Sequence, residues 1–155
     1  MTKIIRVLML TFCGLIWGAA HAATEQIDAM VYAVEVEPNE TINNPNGHTV
    51  TVGGLTHATI INSNGDKSSQ WCRGTTVSDG DSFIGGAGFC TIISSEGDYL
   101  WIWWKPTTPG VNDWGVIGGS GRWAGATGGG DNTITTQFPD GRAWISHSTG
   151  TITTP

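Results

Sequence analysis

The sequence is poor in charge, and above all in positive charge. Charged residues make up 13% of the 155 residues, with 7 lysines and arginines against 13 aspartates and glutamates. A surface that binds nucleic acid needs clustered cations to neutralise phosphates. The cations beyond residue 22 are scattered along the chain: Lys67, Arg73, Lys105, Arg122 and Arg142. We therefore expect no nucleic-acid partner.

Long apolar runs are confined to the N-terminus. Lys3 and Arg6 precede an apolar stretch that ends near Trp17, and Ala20-His21-Ala22 follows as a small-x-small motif. This order is typical of a signal peptide, which we assign to residues 1–22, with a single domain over 23–155. Without Lys3 and Arg6 the chain carries 5 cations and 13 acids, a net charge of −8 (5 − 13). An uncleaved membrane anchor is the alternative, but the run is shorter than the ~20 residues that a span needs.

Cysteine is scarce as well. Of the three cysteines, Cys13 lies within the signal, which leaves Cys72 and Cys90. An even pair in an exported chain predicts one disulfide and a secreted or periplasmic protein. Two cysteines without a nearby histidine pair make a poor zinc site, so no metal is expected.

Helical periodicity is missing beyond the signal, whereas strand-like alternation bounded by glycine, asparagine and aspartate recurs. The predicted strands are Met30–Glu37, His48–Gly53, Thr56–Asn62, Ser69–Val77, Phe83–Ser94, Tyr99–Lys105, Asp113–Gly118, Thr133–Phe138 and Ala143–Thr151. The fold class is therefore all-β. Residues 37–48 are predicted to be a polar loop, because Pro38 and Pro45 oppose strand pairing. Asn39 begins a glycosylation sequon whose use depends on the host.

Two short stretches, "SDGDSF" and "SEGDYL", lie between predicted strands. Gly80 and Gly97 can supply the positive φ of a tight turn, so both stretches predict hairpins. Calcium binding by their carboxylates is disfavoured because the spacing of an EF-hand loop is absent.

Glycine, by contrast, is abundant between Gly115 and Asp131. The segment lacks the Walker lysine and the βαβ context of a phosphate site. We interpret it as a sharp structural corner of a sheet, with a helical turn at Arg122 and Trp123 and with hydrogen bonds from Arg122 to backbone carbonyls. The corner residues are Gly118, Gly119, Gly121, Arg122, Trp123, Gly125 and Gly128.

The stretch "VIGGSGRWAGATGGG" resembles the "GGTG(K/R)(F/Y)xGxxG" signature of proteins with the allene oxide cyclase and dirigent type of barrel. The preceding "GAGFCTIISSEGDYLWIWW" is similar to small secreted bacterial members of that superfamily. The resemblance implies an antiparallel, eight-stranded, calycin-like barrel with an apolar lumen. It also implies a homo-oligomer, often a trimer.

The strand within "DYLWIWWK" is apolar on both faces. Tyr99, Trp101 and Trp103 alternate with Leu100, Ile102 and Trp104. In a barrel one face would border the lumen, and we predict that Tyr99, Trp101 and Trp103 do so as ligand-binding residues.

No catalytic residue can be assigned from the sequence. Glu35 is the best candidate acid, but its strand face is the less apolar one, which predicts a solvated carboxylate. His48, His57 and His147 are dispersed, and no Gly-x-Ser-x-Gly elbow is present.

The sequence thus favours a disulfide-stabilised barrel without a cofactor that binds a small apolar molecule without catalysis, or that has a structural role. One alternative is a cyclase-like or dirigent-like isomerase that steers a reactive intermediate in the lumen. The other is a carbohydrate-binding module with a tryptophan platform drawn from Trp71, Trp103, Trp114, Trp123 and Trp144.

Overall fold

The computed structural model describes residues 22–80 and 82–155, so that residues 1–21 of the predicted signal peptide lie outside the described residues. The described chain forms one antiparallel sheet of ten strands. They are β1 (Ala23–Glu35), β2 (Glu40–Asn43), β3 (His48–Val52), β4 (Thr56–Asn62), β5 (Lys67–Asp79), β6 (Ser82–Ser94), β7 (Tyr99–Thr108), β8 (Val111–Gly119), β9 (Thr127–Gln137) and β10 (Ala143–Thr154). A 3₁₀ turn, Gly121–Trp123, joins β8 to β9. The all-β prediction is confirmed, as is a helical turn in the glycine-rich segment.

Eight of these strands close into a barrel, in the order β4-β1-β10-β9-β8-β7-β6-β5 and back to β4. Closure depends on β5, which pairs with β4 on one side and with β6 on the other. Since β4 covers only Lys67–Cys72 of β5, the β2–β3 hairpin pairs with the remainder, Thr75–Asp79. The predicted eight-stranded antiparallel barrel is confirmed.

Most strand ends differ from the prediction by a few residues, and three differences are larger. β1 begins at Ala23, because pairing with β10 continues to Thr154 through residues that carry no apolar alternation. The predicted loop of residues 37–48 contains β2, since Pro38 and Pro45 flank that strand and leave its amides free to pair. β9 begins at Thr127, so Gly128 lies within that strand, as Gly118 and Gly119 lie within β8.

The main core lies at the end of the barrel near the 3₁₀ turn. Its buried residues are Cys90, Ile92, Leu100, Ile102, Trp114, Trp123, Ala126 and Ile152. The β5–β6 register sets Cys72 directly opposite Cys90, and the predicted disulfide links these two neighbouring strands. In the described ranges no helix is long and apolar enough to span a membrane.

The corner itself is held by close contacts. Gly121 has a φ of +57°, and a Cβ there would overlap the carboxylate of Asp98. In place of the expected hydrogen bonds to backbone carbonyls, Arg122 forms an ion pair with Asp66 (Nη1 to Oδ2, 3.5 Å) and lies 4.4 Å from the centroid of the Trp123 ring. Arg122 thus joins the corner to the β4–β5 turn.

Candidate functional site

The two faces of β7 have opposite environments. Leu100 and Ile102 face inward and are 2% and 6% exposed. The predicted lumen residues, Tyr99, Trp101 and Trp103, face outward and are 41%, 40% and 39% exposed. The prediction that these three border the lumen is wrong, because both faces are apolar and the alternation alone does not say which one turns inward.

The outer rings of β7 lie close to glycines on β8, and at Gly115 the approach leaves no room for a Cβ. Gly115 pairs with Trp103, and a Cβ there would overlap the Trp103 ring. Gly118 pairs with Trp101, and a Cβ there would be 3.8 Å from that ring. The outer aromatic side chains are therefore partly covered by the sheet itself.

The barrel encloses a cavity of about 390 Å³. Small and branched apolar side chains form much of its wall: Ile27, Ala29, Val31, Ala33, Ala58, Ile60, Ile92, Leu100, Ile102, Ile134 and Ile152. Polar side chains, among them Asn62, Gln70 and Asn132, also line it. The Trp104 ring crosses the interior over Gly74 and Gly88, where a Cβ would overlap it. The disulfide and the Trp144 side chain also belong to the apolar lining.

One end of the cavity is closed and the other is open. At the closed end Leu100, Trp123 and Ile152 are at most 5% exposed. At the opposite end the lining includes the exposed residues Asn39 and Gln137. We call this second end the mouth, and we define it by Glu35, Asn39, Gln137, Gly141 and Arg142.

Glu35 lies at the mouth on the inner face of β1. Its side chain is 13% exposed, and it lines the cavity on the same face as Val31 and Ala33. The prediction of a solvated carboxylate is therefore wrong. The outer face of β1 carries the bulkier side chains, Tyr32 and Val34, which are 45% and 42% exposed.

Two neighbours hold the Glu35 carboxylate. Asn39 donates from Nδ2 to Oε2 at 2.9 Å, and Arg142 Nε lies 3.7 Å from Oε1. Asn39 also accepts a hydrogen bond from the amide of Gly54 at 2.8 Å, which ties the loop after β1 to the start of β4. The sequon asparagine is thus part of the mouth.

A serine on β10 is the most deeply buried polar side chain of the wall. Ser146 is 1% exposed, and its Oγ has no hydrogen-bond partner among the described residues. The sequence pattern does not single it out, because Trp144, Ser146 and Ser148 alternate with Ala143, Ile145 and His147, and neither set is clearly the apolar one.

The histidines lie apart, each with its own neighbour: His48 with Asp79 (3.6 Å), His57 with Ser69 (2.9 Å) and His147 with Asp28 (2.6 Å). Among residues 22–80 and 82–155, no three histidine, cysteine or acidic side chains converge as metal ligands would.

The five tryptophans of the carbohydrate interpretation do not share a surface. Trp114 and Trp123 are 7% and 5% exposed, and Trp144 lines the cavity. Trp71 and Trp103 remain on the outside, where the Trp71 ring stacks on His57 with centroids 4.1 Å apart. The predicted platform is therefore not formed.

Comparison with known proteins identifies structures of similar fold but no relative by sequence. No family model matches the chain, and no curated protein matches it significantly. Among solved structures, the chain is similar to the pterocarpan synthase dirigent protein GePTS1, with a TM-score of 0.57, 14% identity and coverage of 98% of both chains. It is also similar to the pterocarpan synthase dirigent protein PsPTS1, with a TM-score of 0.54, 12% identity and coverage of 86% of this chain and 95% of that one. The barrel is of the dirigent and allene oxide cyclase type.

Proposed function

We propose that the protein binds a small, predominantly apolar molecule in the barrel lumen. The observation that carries this proposal is the cavity of about 390 Å³, which is lined mostly by apolar side chains and is open at the mouth. Cavities of this size and character are typical of small-molecule sites. An eight-stranded barrel either fills its interior with side chains or holds one small ligand. The small side chains Ala29, Ala33 and Ala58 favour the second outcome here.

A pair of phenylalanine substitutions on β1 tests the proposal. Ala33 faces the cavity and Val34 faces outward, so Ala33→Phe fills the site whereas Val34→Phe leaves it open. The probe is N-phenyl-1-naphthylamine, a neutral dye whose emission rises in apolar surroundings. We expect wild type and Val34→Phe to bind the dye, and Ala33→Phe to bind it about tenfold or more weakly, a loss of ~1.4 kcal/mol or more. Equal binding by the two variants, or no binding by wild type, would refute the proposal.

The second candidate function is catalytic. Glu35 supports it, as a carboxylate at the wall of an apolar cavity whose position is fixed by Asn39 and Arg142. A positioned carboxylate can transfer a proton to or from a bound molecule, or orient a reactive intermediate. Similarity of fold to two pterocarpan synthases makes their reaction the first to try, although fold alone does not define chemistry.

Glu35→Gln tests this second candidate. The variant keeps the shape and removes the proton-transfer group, and Glu37→Gln is the matched control, because Glu37 pairs with Arg73 on the surface. In an assay of pterocarpan formation, Glu35→Gln should be about 10²- to 10⁴-fold slower than wild type, and Glu37→Gln should be close to wild type. No product with wild type, or an equal rate with Glu35→Gln, would count against catalysis and leave the binding proposal intact.

We also propose that the protein functions in an oxidising compartment outside the cytoplasm. The disulfide across β5 and β6 supports this, because such bonds persist where thiols are not kept reduced. Mass spectrometry of the exported protein tests it. The expected mature N-terminus is Ala23, with Cys72 linked to Cys90.

We further propose that the protein self-associates. The outer faces of β5 to β8 carry exposed apolar side chains, namely Trp71, Phe89, Trp101, Trp103 and Ile117. Large apolar patches of this kind are unusual on monomers, and a second copy of the chain is the partner proposed here. Sedimentation velocity should show an oligomer that Phe89→Glu weakens, whereas Ile42→Glu on the β2–β3 hairpin should not.

A further inference from the structure

We infer that Ser146 is the specificity-determining residue of the lumen, and that it selects a neutral ligand with an apolar body and one hydrogen-bonding group. This inference rests on the proposed binding function. Its first support is the Ser146 Oγ, which is buried, lines the cavity and has no partner among the described residues. A buried hydroxyl without a partner is unfavourable, and a ligand that supplies the missing hydrogen bond recovers that cost.

The neighbours of Ser146 cannot supply the bond from their side chains. Strand pairing sets Ser146 beside Val31 on β1 and Ile134 on β9, and both of these line the cavity. Ser148, the next inward residue of β10, differs because its Oγ donates to the carbonyl of Asp131 at 3.5 Å. Ser146 is therefore the polar side chain in a row of paired residues that is otherwise apolar. The neighbouring row of the lining holds a second buried polar atom without a partner among the described residues, Asn62 Oδ1.

A bulge lies at the same place. The β9–β10 register shifts between Ile145 and Ser146, so Thr135 is an extra residue on β9, and its Oγ1 donates to the carbonyl of Ile145 at 3.2 Å. Bulges are common beside functional sites, where they redirect side chains. This bulge adjoins the unpartnered hydroxyl.

The charges of the lining indicate a neutral ligand. Among the described residues that line the cavity, Glu35 and Arg73 carry charge. Glu35 has Arg142 as its ion-pair partner, and Arg73 has Glu37. An ionised ligand would therefore find no uncompensated opposite charge. Ser146 lies four residues along β10 from Arg142, about 13 Å of strand, which leaves room for an apolar body between the mouth and the anchor.

The test compares two probes of nearly equal shape, 2-naphthol and 2-methylnaphthalene, by titration calorimetry. Wild type should bind 2-naphthol about tenfold more tightly, as expected for one recovered hydrogen bond. Ser146→Ala should bind the two probes within about twofold of each other. Ser148→Ala is the matched control, and it should keep the wild-type preference.

Retention of the preference by Ser146→Ala, or its equal loss in Ser148→Ala, would overturn the inference. Thermal unfolding without ligand is an independent check, because removal of an unpartnered hydroxyl should leave the melting temperature unchanged or raise it. A clear fall specific to Ser146→Ala would show that the hydroxyl is already satisfied, and would also overturn it. If wild type binds the dye but does not discriminate between the naphthalenes, this inference fails while the proposed function stands. If wild type binds neither dye nor naphthalenes, both fail.

Discussion

The inner and outer faces of β7 differ in burial far more than in hydrophobicity. Leu100 and Ile102 are almost completely buried, whereas Trp101 and Trp103 on the opposite face are 40% and 39% exposed. β1 shows the same inversion, with Ala33 inside and the larger Tyr32 outside. Large aromatic rings occur on both sides of the wall, with Trp104 inside and Trp101 and Trp103 outside. The cavity persists where small and branched side chains face inward. The bulk of a side chain is thus a poor guide to its orientation.

The largest expected effect comes from the same substitution on each face. Ile102 on β7 faces inward and is 6% exposed, and Ile117 on the neighbouring β8 faces outward and is 55% exposed. Ile102→Ala should lower the free energy of unfolding by about 2 to 5 kcal/mol, because it removes packed methyl groups. Ile117→Ala should lower it by less than about 1 kcal/mol. Denaturant unfolding measures both, and equal losses would contradict the assignment of faces.

Glycine-to-alanine substitutions give an intermediate effect. A Cβ at Gly74 would overlap the Trp104 ring inside the barrel and the carbonyl of Ala87, whereas a Cβ at Gly115 would meet the Trp103 ring outside. The Ala87 carbonyl belongs to the paired strand and cannot move aside, so Gly74→Ala should cost about 1 to 3 kcal/mol. The outer ring can swing toward solvent, so Gly115→Ala should cost less than about 1 kcal/mol. If thermal melts showed Gly115→Ala to be the more damaging change, the outer ring would have to be as confined as the inner one.

The smallest expected effect concerns Trp123, whose buried ring is covered by Arg122. Arg122→Ala removes a cation–π contact and a partly exposed ion pair with Asp66. Both are weak, and together they should amount to about 1 kcal/mol, a shift of a few degrees in the melting temperature. Asp66→Asn removes only the ion pair and should change stability by less than about 0.5 kcal/mol. An unchanged melting curve for Arg122→Ala would show that Arg122 does not stabilise the corner.

The regular alternation of strand residues predicted the all-β class, and the resemblance of the glycine-rich segment to a known barrel signature implied the closed eight-stranded barrel. The even pair of cysteines predicted the disulfide, and the glycine-rich segment predicted the helical turn, since each depends on local pattern or on composition. The orientation of β7 was harder to predict, because a strand that is apolar on both faces fits the alternation whichever face turns inward. The register could have decided it, since Cys90 is buried and pairs with Ile102. That pairing becomes visible only once the sheet is assembled.

The candidate site was less predictable than the fold. Glu35 was assigned to solvent because Tyr32, Val34 and Val36 form the more apolar face of β1, and a cavity lined by small residues has no sequence signature of its own. Ser146 was missed for a related reason. Its importance lies in the absence of a hydrogen-bond partner for its hydroxyl. That absence follows from its strand neighbours, Val31 and Ile134, which are distant in sequence and have apolar side chains.

The pairing of the first and last strands has a practical consequence. Ala23 lies opposite Thr154, and Pro155 approaches Gly125 beside the closed end, so both ends of the described chain emerge far from Glu35. A linker fused at either end should therefore point away from the opening. Protein tethered to a sensor chip through such a linker would present its entrance to the solution, which suits this molecule to ligand screening on a surface.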